Sequence, residues 1–396
     1  MKKLCALLLA AMMCLSLLTA CGSSGDTQQP PVDPQPEQSQ SGDEQAAGVK
    51  QDLADYLWEV PADASEEETL KLELRNASLI NTMELLFEEE SYRAYSKAAT
   101  SLRSHPNAEK LAALQEAKAA LVQEVSVEEG VYFIWNDFAS MPIVDGESYT
   151  EEQLDGASLL GYGNTTVLVK CLLDDPAQAK GNIVICSGGA MKGRSNGSEG
   201  YPAVEVFNDL GYNCFLLQRR VEPYSTTDIF MDFSRAIRVV RYYAQQEGWG
   251  GQDMIAGMGW SGGAETLMGA VELFYGDVQY SDYDSDYVPD EIDAVSADLD
   301  VAIPVYGAGY DTTCGNTNLP AFFLVHGTED VTLDCQFSVD HYEAVKDLVP
   351  AELLLIEGAP HGFGVGTVKG DFPAECTTWV NNADAFMQAN LGHSAN

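Results

Sequence analysis

The sequence predicts an α/β fold, with a mostly parallel central sheet flanked by helices and an N-terminal helical extension. Two observations lead there. From about residue 183 onward, apolar runs of strand length alternate with longer amphipathic runs, the rhythm of parallel strands joined by crossover helices. Before about residue 125 that alternation is missing, and apolar residues recur every three or four positions among Glu and Lys.

The elements follow in order. Leu70, Leu72, Leu74, Leu79, Ile80, Met83, Leu86 and Phe87 mark one helical stretch, and Leu111, Leu114, Ala117, Leu121 and Val122 another. Ser104-His105-Pro106-Asn107 reads as the break between them. Val131 to Trp135 and Thr165 to Leu172 read as strands that open the sheet as an antiparallel pair. Strands are then expected at Ile183 to Cys186, Cys214 to Leu217, Met254 to Met258, Leu299 to Val305, Ala321 to Val325 and Leu353 to Ile356. Between and after them come helices at Pro202 to Leu210, Asp228 to Glu247, from Ser261 on, Phe337 to Leu348 and Thr378 to Leu391. Gly211 and Gly248 stand where two of these helices should stop. The chain divides into a leader (1–21), a linker (22–50), a helical subdomain (51–125) and an α/β domain (126–396).

Charge and leader narrow the setting. The 396 residues include 61 acidic and 21 basic side chains, a formal charge of −40 that repels phosphate backbones and argues against a nucleic-acid partner. Lys2 and Lys3 precede an apolar run, Leu4 to Leu18, of secretory-signal length. It ends in Leu18-Thr19-Ala20-Cys21, which resembles a bacterial lipobox and implies a lipid anchor on Cys21 as the one link to a membrane. An ordinary signal cleavage site is the alternative. The Gln-, Pro-, Ser- and Gly-rich segment that follows reads as a solvated tether. Of nine cysteines, six lie beyond residue 21; none forms a CxxC pair, so a zinc site is not expected, and Cys314–Cys335 is the first disulfide to test.

The chemistry is concentrated in Gly257-Met258-Gly259-Trp260-Ser261-Gly262-Gly263, which contains G-x-S-x-G between a strand and a helix. At such an elbow the serine occupies a strained turn. Small neighbours, here Gly259, Gly262 and Gly263 around Trp260, let strand and helix approach. An elbow serine needs an acid and an imidazole further along, at later strand ends. Among five histidines, His361 follows the last strand in a loop with Gly358, Pro360 and Gly362. Asp330, after the preceding strand, is the expected acid, with Glu329 as its neighbour and competitor and Asp300 and Asp311 as outsiders. His326 is expected to shape that acid turn. Oxyanion donors are expected from Gly262 and from Gly189 or Ala190 in Cys186-Ser187-Gly188-Gly189-Ala190. Two other features are read as structural. Arg219 and Arg220 should anchor loops, and the Asp- and Tyr-rich stretch 282–293 has the acid spacing of a calcium loop but lacks its glycine, so it reads as a solvated insertion.

From about Ile183 to Leu391 the chain resembles the α/β-hydrolase superfamily, and within it the bacterial acetyl-xylan and feruloyl esterase-like branch. The resemblance rests on Cys186 to Ala190, Glu199-Gly200-Tyr201-Pro202, Arg220-Val221-Glu222-Pro223-Tyr224, the elbow, His326-Gly327-Thr328-Glu329-Asp330 and Pro360-His361-Gly362. It implies hydrolysis of short acyl esters, on oligosaccharides or small molecules, with no metal or organic cofactor. Ala190 stands where a third glycine is usual, and Trp260-Ser261-Gly262 where Phe-Ser-Ala is commoner; both departures bear on pocket shape. A serine peptidase with the same residue order, or a hydrolase-like protein that only binds ligand, are the competing expectations.

Overall fold

The computed structural model describes residues 53–122, 130–135, 141–144, 149, 166–308, 319–367 and 370–392. The leader, Cys21, the linker, Asp311 and Cys314 lie outside the described residues. Val49–Asn396 forms one compact unit.

The helices are α1 (Leu53–Tyr56), α2 (Glu66–Thr82), α3 (Glu89–Ser104), α4 (Ala108–Leu121), α5 (Tyr201–Asp209), α6 (Thr226–Glu247), α7 (Gly262–Leu273), α8 (Gln336–Val345) and α9 (Glu375–Asn390). The strands are β1 (Val131–Phe133), β2 (Val167–Cys171), β3 (Asn182–Cys186), β4 (Asn213–Gln218), β5 (Ile255–Trp260), β6 (Val301–Val305), β7 (Ala321–Gly327) and β8 (Ala351–Ile356). They form one sheet in the order β1-β2-β4-β3-β5-β6-β7-β8. β2 pairs antiparallel with both β1 and β4, and every other pairing is parallel.

Local chemistry sets the helix ends. Ser65 accepts from the Glu68 amide, Asn107 from the Lys110 amide, and Ser225 forms a capping box with Asp228. Gly248 ends α6 with φ 71°, a left-handed conformation that costs glycine little.

The sheet is buried on both faces, so its strands carry apolar residues at both parities. Ile183, Ile185, Val301, Ile303, Val305, Phe323 and Val325 face one layer, shared with Phe207 of α5 and Trp379 and Phe386 of α9. Leu74 and Ile80 of α2, Tyr95 of α3 and Leu114 of α4 join that same apolar cluster, so the N-terminal helices add to this side of the core. Val184, Cys186, Phe322 and Leu324 face the other layer, with Phe233 and Ile237 of α6 and Leu267 and Val271 of α7. Among the described residues no helix is long and apolar enough to cross a membrane.

Two expectations change. Cys335 is a free, partly buried thiol, and its expected partner lies outside the described residues. The stretch 282–293 is solvated only in part: Asp282, Asp286 and Glu291 are exposed, but Asp293 is buried and pairs with Arg235 at 2.7 Å, Asp290 pairs with the same guanidinium, and Asp284 accepts from the Ile143 amide. Tyr287 donates to Asp293, filling the space where a calcium loop has glycine. No group of acidic, His or Cys side chains among the described residues could hold a metal ion.

Candidate active site

Six parallel strands, β3 to β8, end at one edge of the sheet, and the turns that leave them carry the site. β5 hands Trp260 to Ser261 and then to α7. Ser261 has φ 49° and ψ −122°, a strained conformation for a residue with a Cβ, held by its amide donating to the Val305 carbonyl at 3.0 Å. The flanking glycines are required by contact. A Cβ on Gly259 would lie 2.3 Å from the Gly263 carbonyl oxygen, and one on Gly263 would lie 2.1 Å from that of Cys186.

The serine meets its partners. Ser261 Oγ is 2.9 Å from His361 Nε2, and His361 Nδ1 is 2.6 Å from Asp330 Oδ2. An ionised carboxylate only accepts, so Nδ1 carries the ring proton and Nε2 is left to accept from the serine hydroxyl. Asp330 is wholly buried as a side chain, whereas the imidazole is 19% exposed. Amides of Thr332 and Leu333 donate to Asp330 Oδ1 at 2.8 and 2.9 Å, fixing the carboxylate. Glu329, the competing acid, is exposed, and its amide donates to the Ala359 carbonyl, tying the acid turn to the His361 loop. Asp300 sits at the opposite end of β5, where it accepts from the Ile255 amide.

His326 is buried in the acid turn. Its Nε2 faces the Leu333 carbonyl at 3.0 Å and Asp330 Oδ2 at 3.3 Å, so Nε2 carries the proton and Nδ1 accepts from the Ser338 hydroxyl at 2.7 Å. Burial pushes its pKa below the ordinary histidine value, which keeps it neutral beside Asp330.

The loop after β3 lies against the elbow. Ala190 has φ 51°, and its carbonyl accepts from Arg219 Nη2 at 2.6 Å. A Cβ on Gly262 would lie 2.7 Å from Ala190 Cα, so those two backbones are in contact. The Gly262 amide, in the first turn of α7, has no intrahelical acceptor. Gly189 makes the turn itself, its carbonyl accepting from the Gly193 amide at 3.0 Å. Arg219 and Arg220 are both fully buried. Arg220 pairs with Asp232 and donates to the carbonyls of Pro142 and Asp228, so both arginines anchor loops.

Trp260 ends β5 directly before Ser261, and its ring is fully buried and meets Trp379 edge-on at 6.4 Å, so it bears on the site from within the core. Sequence reasoning missed Tyr306, and it noted Glu199 only within a matching stretch, with no role in the site. Tyr306 follows β6 with φ 38°, its ring 4.7 Å from that of His361, and its hydroxyl donates to Glu199 at 2.9 Å. An aromatic directly after a strand at the same sheet edge was the available signal.

No protein-family model matches the sequence, and no curated protein matches it. Solved structures do. The acetyl ester-xyloside bifunctional hydrolase from Caldicellulosiruptor lactoaceticus superposes with a TM-score of 0.52 at 19% identity, over 65% of this chain and 95% of that one. The fold is the α/β-hydrolase fold. A thermophilic esterase from the planctomycete Thermogutta terrifontis gives a TM-score of 0.46 at 23% identity, over 56% of this chain and 87% of its own. Among the described residues, four helices, α1 to α4, precede the first strand of this sheet.

Proposed function

We propose that this protein is a serine carboxylic ester hydrolase that removes short acyl groups from carbohydrate or other small esters. The observation that carries the reading is the hydrogen-bonded chain Ser261–His361–Asp330 at the carboxyl edge of the sheet. Ser261 Oγ attacks the ester carbonyl carbon as its proton passes to His361 Nε2. Asp330 holds the ring tautomer that can accept that proton and stabilises the imidazolium that results. The oxyanion develops beside the Ala190 and Gly262 amides, donors that each contribute about 10²–10³ in turnover at comparable sites. His361 then protonates the leaving alkoxide, and water, deprotonated by the same imidazole, releases the acid.

The net charge of −40 supports neutral or cationic esters over polyanionic ones. The acetyl-ester chemistry named for the Caldicellulosiruptor hydrolase agrees with the proposal, although at 19% identity that likeness speaks for the fold alone. Ser261→Ala tests it: hydrolysis of p-nitrophenyl acetate should fall by at least about 10⁴-fold with thermal unfolding unchanged. Turnover retained by that variant would reject the mechanism.

A further inference from the structure

Glu199 is an ionisable side chain beneath the candidate site that the steps above leave without a part. It is 4% exposed, in the turn before α5. Its Oε2 accepts from the Gly188 amide at 2.7 Å and its Oε1 from the Tyr306 hydroxyl at 2.9 Å. Tyr306 Oη in turn accepts from the Gly364 amide at 3.1 Å. With the Gly364 amide donating to it, the hydroxyl turns its own proton to Glu199, so each carboxylate oxygen has one donor, a pattern that suits the ionised form.

The position matters as much as the bonding. A Cβ on Gly188 would lie 2.7 Å from Glu199 Oε2 and 3.0 Å from Ser261 Cβ, so the carboxylate lies one residue's width beneath the nucleophile. Gly188 begins the loop that carries Gly189 and Ala190. Gly364 belongs to the loop that carries His361, and the Tyr306 ring packs against both His361 and Phe363, at 4.7 and 4.8 Å. One buried carboxylate therefore grips both loops, the second through a tyrosine wedged under the imidazole.

We propose that Glu199 is a positioning residue of this site: it sets the oxyanion loop through Gly188 and the His361 loop through Tyr306, and its negative charge favours the protonated imidazole of the reaction. The proposal rests on the ester-hydrolase reading. Burial raises the Glu199 pKa above the ordinary carboxylate value, and the Gly188 and Tyr306 hydrogen bonds and the charges of His361 and Arg219 offset only part of that rise. The ionisable groups around His361 are Asp330 in direct contact, Tyr306 against its ring, and His326, Glu199 and Glu265 at longer range. Of the two more distant carboxylates, Glu199 is the one tied by hydrogen bonds to both loops.

The experiment compares wild type with Glu199→Gln, isosteric but neutral, in kcat, KM and the pH profile of kcat/KM on p-nitrophenyl acetate. Wild-type turnover that Ser261→Ala abolishes establishes the underlying reading first, so failure of that reading is seen separately. Removing a nearby negative charge destabilises imidazolium, so the acid limb of the profile, where His361 protonates, should move down by about half to one pH unit. In Glu199→Gln kcat should fall about 10- to 100-fold with KM within about twofold, because loosened positioning acts on the transition state. An acid limb that stays in place overturns the proposal whatever happens to turnover, since lost packing alone does not move it. Should the Gln variant fail to fold, Tyr306→Phe decides: the ring remains and only the hydroxyl link is cut. It should lower kcat several-fold at constant KM, and an unchanged kcat overturns the proposal.

Discussion

The Arg235 cluster and the Ser261 site are both built from buried ionisable groups, yet they are finished differently. Around Arg235 the guanidinium is closed on all sides by Asp290, Asp293 and the Ile134 carbonyl, with Trp135 5.1 Å away over its face. Asp293 has a further donor in Tyr287. At the site, Asp330 is as fully enclosed, but the chain of hydrogen bonds runs outward through a part-exposed imidazole to a serine at the surface of the sheet edge. Burial of charge is common to both. What separates a fastener from the proposed reaction centre is that one hydrogen-bonded chain terminates on itself and the other ends on a part-exposed serine hydroxyl.

That contrast can be broken by substitution. The largest effect belongs to the site: Asp330→Asn keeps the shape but presents His361 with an amide that favours the wrong tautomer, and kcat should fall about 10³- to 10⁴-fold with little change in melting temperature. Steady-state kinetics beside thermal unfolding measure both. Arg235→Met should do the reverse. It leaves Asp290 and Asp293 without their cation and should cost about 3–5 kcal/mol in denaturant unfolding, with kcat nearly unchanged below the transition. If Arg235→Met lowered kcat by orders of magnitude in folded protein, or Asp330→Asn chiefly lowered stability, the division drawn here would fail.

Much of the sheet was legible in the sequence because its signals are local. The turn at Ser261 needs glycines within two residues on either side, and they stand next to it in the chain. His361 and Asp330 follow strands whose order sets the edge at which they emerge. The choice between Asp330 and its neighbour Glu329 was not decidable from spacing. It depends on which side chain turns inward from β7, and the Thr332 and Leu333 amides fix that.

Other features are set by contacts that no local pattern announces. The Tyr306–Glu199 hydrogen bond joins residues 107 apart, and Arg235 meets Asp293 across 58. The second of these made a buried fastener look like a solvated acidic loop. The direction of the Trp260 ring is set in the same way, by its contact with Trp379 in the core, 119 residues further along.

The proposed ester hydrolysis requires Ser261 to be a nucleophile activated by His361. Treating the native protein with a fluorophosphonate probe and reading the site of attachment by peptide mass spectrometry addresses it most directly. The expected result is one phosphonyl adduct, formed with loss of fluoride, on the peptide containing Ser261, and no adduct on that peptide in Ser261→Ala. A folded wild-type protein that stays unmodified, or that is modified elsewhere with Ser261 untouched, would contradict it.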